Sequence, residues 1–195
     1  MRVFLTIFLL LSSITFSSCS SAKKFAPANK EIQQPLTGGN KSALYKAKMK
    51  VFGNFFSGLV LFKYNKENND YNVVLLTEVG LTLCEFYCVN NQIEVKKASS
   101  LFQSKMAQKT LAEDFGYLIY ELGAVKKVAE GVYKNSDKVK YTLGTEAKVQ
   151  RIRKRRLING IIVDLEKYKQ GVPSSIKFKH RGIKFNMELS LLKVS

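Results

Sequence analysis

The single histidine of the chain, His180, is the side chain on which nucleophilic hydrolysis would have to depend. A serine or cysteine nucleophile needs an imidazole that takes up its proton. His180 lies in the stretch SIKFKHR, on the same parity as Ile176 and Phe178. Because every second side chain of a strand points to the same face, a strand here would place the imidazole among apolar neighbours. We therefore predict a histidine packed at the end of a strand, and no catalytic residue.

Two further segments contain residue types used for phosphate binding or acid–base catalysis, but their spacing does not fit either chemistry. The segment TGGNKS, residues 37–42, contains glycines, a lysine and a serine. It lacks the spacing of a phosphate-binding loop, and no apolar strand precedes it. Glu113 and Asp114 are adjacent in a predicted helix, and adjacent helical residues do not face each other as an acid–base pair would. We expect a protein that is not an enzyme and needs no cofactor.

Two of the three cysteines, Cys84 and Cys88, lie in a segment with the pattern of a strand. At about 3.3 Å per residue their Cα atoms would be roughly 13 Å apart, beyond the reach of a disulfide bond. The lone histidine and the lack of clustered carboxylates predict no metal site. We predict that both thiols are free and buried.

Cys19 follows a segment with the layout of a bacterial signal peptide. A basic start, MR, is followed by VFLTIFLLLSSI and then by two small residues, Ser17 and Ser18. An apolar stretch of about a dozen residues is too short to span a hydrocarbon layer of about 30 Å. The end of this segment resembles a lipobox, with Phe16 where leucine is usual; an ordinary secretory signal is the alternative. We predict a signal peptide at residues 1–18, and acylation of Cys19 with palmitate-type chains as the membrane anchor.

The charge balance of the chain is strongly basic. Lys and Arg number 32 against 15 Asp and Glu, a formal net charge of +17. Such a balance suggests nucleic acid first, but export argues against that partner. Anionic lipid headgroups or an acidic envelope protein are expected instead. The densest basic run is either a charged strand edge that blocks aggregation or a patch for an anionic partner; it contains Arg151, Arg153, Lys154, Arg155 and Arg156.

Period-two alternation dominates the chain from Ser42 onward. Ala47, Met49 and Val51 alternate with lysines, which predicts a strand with one apolar and one cationic face. An amphipathic helix is predicted near 109–122, where a threonine and a glutamate have the spacing of a capping box. The predicted strands are 45–52, 55–64, 71–79, 81–89, 92–97, 138–143, 160–166, 175–181 and 183–194.

The domain organisation follows from these elements. Residues 19–41 hold two of the three prolines and a Gly-Gly pair, and we predict a lipidated tether there. Residues 42–195 form one mainly β domain of the α+β type. We predict a curled antiparallel sheet or half-barrel of about 8–11 strands, with one to three short helices.

One face of this sheet is apolar, and it must be covered by a helix or a second sheet, or must enclose a ligand. Ordinary core packing and a lipid-binding concavity are both open at this point. The candidate cavity residues are Met49, Val51, Val60, Phe62, Phe86, Ile161, Val163, Phe178, Phe185, Met187 and Leu189.

The order of elements resembles the LolA/LolB family, the periplasmic lipoprotein carrier and its outer-membrane receptor. Residues 71–119, beginning YNVVLLTEVGLTLCEFYCV, resemble the family's strands, apolar glycine turn and short helix. The ending VPSSIKFKHRGIKFNMELSLLKV is similar to its closing hairpin. The resemblance implies a half-barrel whose helices lid an apolar cavity for acyl chains. It also implies that a loop tip, matching Val79, Gly80 and Leu81, touches the membrane.

The expected function is therefore lipid binding on the bacterial outer membrane. A lipid-anchored protein facing the periplasm would hold acyl chains of a lipid or lipoprotein, in a LolB-like role in outer-membrane lipoprotein localisation or lipid handling. The resemblance to lipoprotein-sorting signals implies that Ser20 after Cys19, rather than aspartate, favours the outer membrane. The alternative is a structural or accessory lipoprotein of an envelope assembly complex, with a closed core and a basic face that docks a partner.

Overall fold

The computed structural model describes residues 32–36, 42–51 and 53–195. The predicted signal peptide, Cys19 and most of the predicted tether lie outside these residues. Twelve antiparallel strands form a single sheet, which confirms the mainly β prediction and exceeds the predicted strand number. The strands are β1 Ser42–Val51, β2 Asn54–Asn65, β3 Asp70–Thr77, β4 Thr82–Val89, β5 Gln92–Ala98, β6 Val125–Ala129, β7 Val132–Asn135, β8 Lys140–Leu143, β9 Val149–Arg155, β10 Gly160–Lys169, β11 Val172–Arg181 and β12 Phe185–Val194.

The sheet consists of two antiparallel meanders, β1–β5 and β6–β12, which are joined by the pairing of the first strand with the last. Its order is β5-β4-β3-β2-β1-β12-β11-β10-β9-β8-β7-β6, so β1 pairs with β12 and the strands β5 and β6 form the two edges. Backbone hydrogen bonds of 2.8 and 3.0 Å join Ser42 to Ser195 beside this central pair. Between β5 and β6 the chain forms a 3-10 turn, Ser100–Phe102, and one α-helix, α1, Lys105–Ile119.

The register turns the alternation along each strand into rows that cross the sheet. Side chains that are directly opposite on neighbouring strands share a face. One row is apolar and covered, and we refer to its side as the inner face; it contains Tyr133, Tyr141, Ile152, Val163, Phe178, Met187, Met49 and Phe56. The next row points to the outer face and is largely basic; it contains Lys126, Lys134, Lys140, Arg153, Ile162, Lys179, Asn186 and Lys50.

Helix α1 covers the inner face through aromatic contacts. The ring of Phe115 lies 5.5 Å from that of Phe62 on β2 and 5.5 Å from that of Phe86 on β4, both nearly edge to face. The same helix reaches β11, where Asp114 contacts His180. Because one helix touches strands on both sides of the central pair, the inner face must curve around it.

The helix begins four residues earlier than predicted. Ser104 is the N-cap, and its hydroxyl accepts a hydrogen bond from the backbone N–H of Ala107 at 3.4 Å. The predicted cap, Thr110, lies inside the helix and donates to the carbonyl of Met106 at 2.8 Å. A capping-box spacing does not start a helix where an earlier serine already satisfies the free N–H groups. At the other end Tyr120 is extended, so the helix does not reach Gly123.

Three strands, β6, β7 and β9, were not predicted. The last of them coincides with the basic run, where the two buried residues, Val149 and Ile152, are three apart and break the two-residue period. The other two, β6 and β7, lie earlier in the chain. Both are short, both carry lysines, and one of them is an edge strand, so the apolar alternation that marks the other strands is weak there. The following strand, β8, begins at Lys140 and not at Lys138, which has a positive φ of 63° in the turn. The side chain of Asn135 holds this turn by accepting a hydrogen bond from the N–H of Val139 at 3.0 Å.

The described part of the predicted tether, residues 32–36, packs on the domain. Ile32 and Leu36 are buried, with 8% and 4% of their surface exposed. Leu36 donates its N–H to the carbonyl of Leu118 at the end of α1, and the hydroxyl of Tyr71 donates to the carbonyl of Leu36. This segment therefore covers the inner face beside the C-terminal end of α1.

Replacing Phe115 tests whether α1 is part of the cooperative core. Its ring is fully buried between two strands, so Phe115→Ala should lower the free energy of unfolding by about 3–5 kcal/mol. Met106→Ala is the matched control on the same helix, because Met106 is 50% exposed and should change stability by less than about 0.5 kcal/mol. Urea unfolding measures both, and equal effects of the two variants would contradict the assigned packing.

Candidate functional site

All eleven residues of the predicted cavity lie on the inner face and are buried. Their exposed fractions run from 0% to 7%, with Val51 the most exposed. They are covered by one another, by α1 and by residues 32–36, so the inner face is closed in this structure. Whether they serve as core alone or also receive an acyl chain is the point on which the function depends.

His180 is buried and bonded at both ring nitrogens, as a histidine packed at a strand end should be. Nδ1 lies 3.0 Å from the carbonyl oxygen of Phe185, and Nε2 lies 3.0 Å from Oδ1 of Asp114. The imidazole also packs edge to face on the ring of Phe185. Sequence reasoning placed this histidine among apolar neighbours but missed its acidic partner. The available signal was an aspartate on the apolar side of α1, flanked by Leu111 and Phe115.

The hydrogen bonds fix how many protons the pair holds. A carbonyl oxygen only accepts, so His180 Nδ1 must carry a proton and donate it to Phe185. Nε2 and the carboxyl of Asp114 then share one proton, which one of them donates to the other. The second carboxyl oxygen, Oδ2, is buried without a hydrogen-bond partner among the described residues. Burial raises the pKa of Asp114 to about 6, and the hydrogen bond to His180 opposes that rise.

The neighbouring carboxylate, Glu113, forms a second link from α1 to the sheet. The guanidinium of Arg156, at the end of β9, donates to both oxygens of Glu113. Glu113 and Asp114 point to different partners, as adjacent helical residues must. We call these two contacts, Glu113 with Arg156 and Asp114 with His180, the helix–sheet links.

A small cavity of about 210 Å³ lies beside the helix–sheet links. This volume is below the roughly 300–1,000 Å³ of typical small-molecule sites. Its lining mixes charged, polar and apolar side chains, so it does not have the character of an acyl-chain site. Its walls include Met106, Lys109, Thr110, Tyr117, Lys154, Asn159, Ile161 and Ile183.

The five residues of the predicted anionic-partner patch divide between the two faces of β9. Arg151 points outward and donates to Asp164 at 2.6 Å, and Arg153 and Arg155 share its face. Lys154 and Arg156 face the cavity beside α1. Strand parity therefore separates residues that are contiguous in the sequence. Only the outward members continue into the basic row of the outer face.

The predicted membrane-contact loop is the β3–β4 turn. Val79 and Leu81 are 83% and 67% exposed, and Gly80 has a φ of +86°. The N–H and the carbonyl of Leu81 both bond to Thr77, at 3.0 and 2.8 Å. A well-bonded turn thus holds two aliphatic side chains in solvent, as membrane contact would require.

Both buried cysteines are free, in agreement with the prediction from their spacing. Cys84 and Cys88 lie on β4, and burial raises the pKa of each thiol to about 11. Within residues 32–36, 42–51 and 53–195, no group of three or more His, Cys, Asp or Glu side chains is placed to hold a metal ion. None of the helical segments in the described part of the chain has the length and apolar character that crossing a membrane requires.

The pH dependence of stability tests the Asp114–His180 pair. A carboxyl whose pKa is raised to about 6 from 3.8 binds protons more tightly when folded, so its contribution to stability is present below about pH 4 and is lost as the pH rises through 6. In Asp114→Asn the amide donates to Nε2 without titrating. We expect the stability of this variant, relative to the unmodified protein, to rise by about 2–3 kcal/mol between pH 4 and 7.

The matched control is Glu113→Gln, which changes the adjacent but exposed carboxylate. It should follow the unmodified protein over the same pH range. Denaturant unfolding at a series of pH values gives the comparison. Parallel curves for Asp114→Asn and the unmodified protein would contradict the assigned proton sharing.

Comparisons with protein families and with characterised proteins found no match for the sequence. Among solved structures, the fold is similar to the crystal structure of a DUF1329 family protein from Desulfovibrio piger, at 13% identity and a TM-score of 0.43. The similarity covers 80% of this chain and 85% of that chain. A likeness of this size carries no argument about function, and the resemblance to the LolA/LolB family stays a prediction.

Proposed function

We propose that the chain is a lipid-anchored envelope protein that holds an acyl chain between the inner face and α1. The role would be LolB-like, in outer-membrane lipoprotein localisation or lipid handling, with Cys19 as the anchor. The observation that carries the proposal is the way the inner face is covered. Among the described residues, the apolar face of the twelve-stranded sheet is covered by one 15-residue helix and by residues 32–36, and not by a second sheet.

Such a cover can move without dismantling the sheet. Two residues after the C-terminal end of α1 lies Glu121, whose backbone N–H and carbonyl both bond to the side chain of Asn91 in the β4–β5 turn. Just past the midpoint of α1, at Glu113 and Asp114, the helix–sheet links attach it to β9 and β11. Releasing those two contacts would let the helix rotate about its C-terminal end and expose the inner face.

The energetics favour an acyl chain as the replacement for the helix. Uncovering apolar surface costs free energy in proportion to its area, and a bound hydrocarbon chain restores roughly 0.8 kcal/mol for each methylene buried. A chain with about ten buried methylenes would contribute roughly 8 kcal/mol, enough to offset a partial loss of helix packing. Polar ligands offer no such compensation on a face of Ile, Val, Phe and Met.

The second candidate is an accessory lipoprotein with a permanently closed core, which docks an acidic partner through its basic face. Near-complete burial of the inner face and the small volume beside α1 favour it. A salt-sensitive, stoichiometric partner without bound lipid would support this alternative over the first.

Lipid that co-purifies with the protein is the direct test of the proposal. Native mass spectrometry of the protein extracted in a mild detergent should show a population with one added lipid mass, separate from the acyl groups at Cys19. A protein that carries no additional lipid, and that does not bind a fluorescent fatty acid, would leave the closed-core alternative.

Weakening a helix–sheet link should strengthen acyl binding. Glu113→Gln breaks an exposed ion pair worth about 0.5–1 kcal/mol, so the affinity for a fluorescent fatty acid should rise roughly two- to fivefold. Glu146→Gln is the control, because it removes a surface ion pair with Lys148 that lies away from α1. Fluorescence titration measures both, and unchanged affinity in Glu113→Gln would argue that α1 does not gate the inner face.

Delivery of the acyl chain should depend on the β3–β4 turn. Leu81 is 67% exposed, so Leu81→Glu should leave the free energy of unfolding within about 0.5 kcal/mol while slowing transfer of a fluorescent fatty acid from protein to vesicles. Stopped-flow transfer measures the rate. Transfer at the unmodified rate would remove this turn from the membrane-contact surface.

A further inference from the structure

We propose that the β9–β10 turn inserts into the surface of an anionic bilayer, with the basic residues behind it bound to the phospholipid headgroups. This goes beyond the proposed function, because docking does not require an acyl chain to enter the inner face. The turn and its basic surroundings form part of one edge of the sheet, which the topology defines.

The strand directions place five turns along the same edge. Val51 at the end of β1 is opposite Phe185 at the start of β12, so the β1–β2 and β11–β12 turns share an edge. Each antiparallel step reverses direction, and the β3–β4, β7–β8 and β9–β10 turns therefore also lie there. We call this side the upper edge and the opposite side the lower edge.

The two edges differ in the residues at their turns. At the lower edge the turns contain the residue types that turn geometry favours: Asn68 and Asn69, Asn90 and Asn91, Glu130 and Gly131, and Gln170 and Gly171. At the upper edge the β3–β4 turn carries Val79 and Leu81, and the β9–β10 turn carries Leu157 and Ile158. Large aliphatic residues have no conformational advantage in a turn. We therefore infer that their position at one edge of the sheet serves contact with an apolar partner.

The β9–β10 tip is the more exposed of the two. Leu157 and Ile158 are 106% and 88% exposed, although the turn itself is well held. The N–H of Arg156 donates to the carbonyl of Asn159 at 2.8 Å, and a Cβ on Gly182 of the neighbouring turn would lie only 2.6 Å from the carbonyl oxygen of Ile158. The protein thus presents both side chains to solvent on a supported hairpin.

Positive charge surrounds the tip on the outer face. Arg155 and Arg181 flank Gly160 from the neighbouring strands, and both are exposed. One step further from the edge, the basic row places Arg153, Lys140 and Lys134 directly opposite one another on three adjacent strands. Like charges in this arrangement repel each other. These five cations have no ion pair or side-chain hydrogen bond with any described residue.

The spacing of these features matches a bilayer surface. Side chains that lie in a membrane interface reach about 5–10 Å into the headgroup region. At about 3.3 Å per residue, Arg153 lies roughly 13 Å from Leu157 along the strand, so a buried tip brings the basic row to the headgroups. The β3–β4 turn is six strand spacings away, roughly 29 Å along the sheet, and adds a second apolar contact on the same side.

A bilayer fits this edge better than an acidic protein does. An acidic protein face would neutralise the basic row but would leave two separated aliphatic tips without a partner. An anionic bilayer supplies hydrocarbon at every point along the edge and negative charge behind it. The geometry therefore assigns the upper edge to a lipid surface.

Vesicle flotation with the predicted mature chain tests this assignment. Residues 19–195 with Cys19→Ser retain every described element and lack the anchor. This protein should bind vesicles of phosphatidylcholine with 30% phosphatidylglycerol at least about tenfold more tightly than phosphatidylcholine alone, and raised salt should weaken the binding. The double variant Leu157→Ser with Ile158→Ser should lose roughly tenfold in partition, as should Arg155→Gln with Arg181→Gln.

Matched controls come from the lower edge. Leu192→Ser removes a leucine that is 55% exposed there, and Lys169→Gln with Lys193→Gln removes two exposed charges there; both should bind as the unmodified protein does. The variant Leu157→Ser with Ile158→Ser should still bind a fluorescent fatty acid. Loss of vesicle binding alone then reports on docking, and loss of fatty-acid binding reports on the proposed function. Tip and lower-edge variants that bind anionic vesicles equally well would overturn insertion, and equal binding to both vesicle types would overturn headgroup recognition.

Discussion

The fold depends on the two-residue period of side chains along twelve antiparallel strands that pair in a single sheet. Direct opposition of Met49 with Met187, and of Phe178 with Val163, continues the apolar row from strand to strand. The same register must then collect lysines and arginines on the other face, although they repel each other there. A shift by one residue in any strand would exchange the faces, so the hydrophobic burial that stabilises the domain also fixes its charge asymmetry.

The proposed movement of α1 over the inner face would account for a feature of the helix that packing alone does not require. A helix that only stabilised the core would need no buried aspartate, yet Asp114 lies fully buried against His180. A buried carboxyl paired with one imidazole contributes less stability than an apolar residue of similar size would. Its placement beside the exposed link from Glu113 gives α1 specific polar attachments to the sheet, which the proposed movement of the helix would have to release.

The sequence predicted the fold wherever alternation was strong, and it failed where other interactions decide. Nine strands and the apolar face were predictable because each apolar position repeats at two residues. The edge strand β6 and its neighbour β7 were not predictable, because pairing with adjacent strands holds them and they have no apolar pattern of their own. Strand β9 was not predictable either, because its two buried residues are three apart. The start of α1 depended on Ser104 accepting a hydrogen bond from Ala107, a choice between caps that spacing alone does not decide. The partner of His180 was missed because 66 residues separate the two side chains.

The central proposal is that α1 moves away from the inner face and that an acyl chain takes the place of the helix there. The reactivity of the two buried thiols, Cys84 and Cys88, tests it. Cys84 and Cys88 lie buried on β4, next to Phe86, which packs against α1. Under native conditions their alkylation by a small maleimide should proceed faster than global unfolding allows, and a saturating fatty acid should slow it. Alkylation only at the rate of global unfolding, with no effect of the fatty acid, would contradict the account.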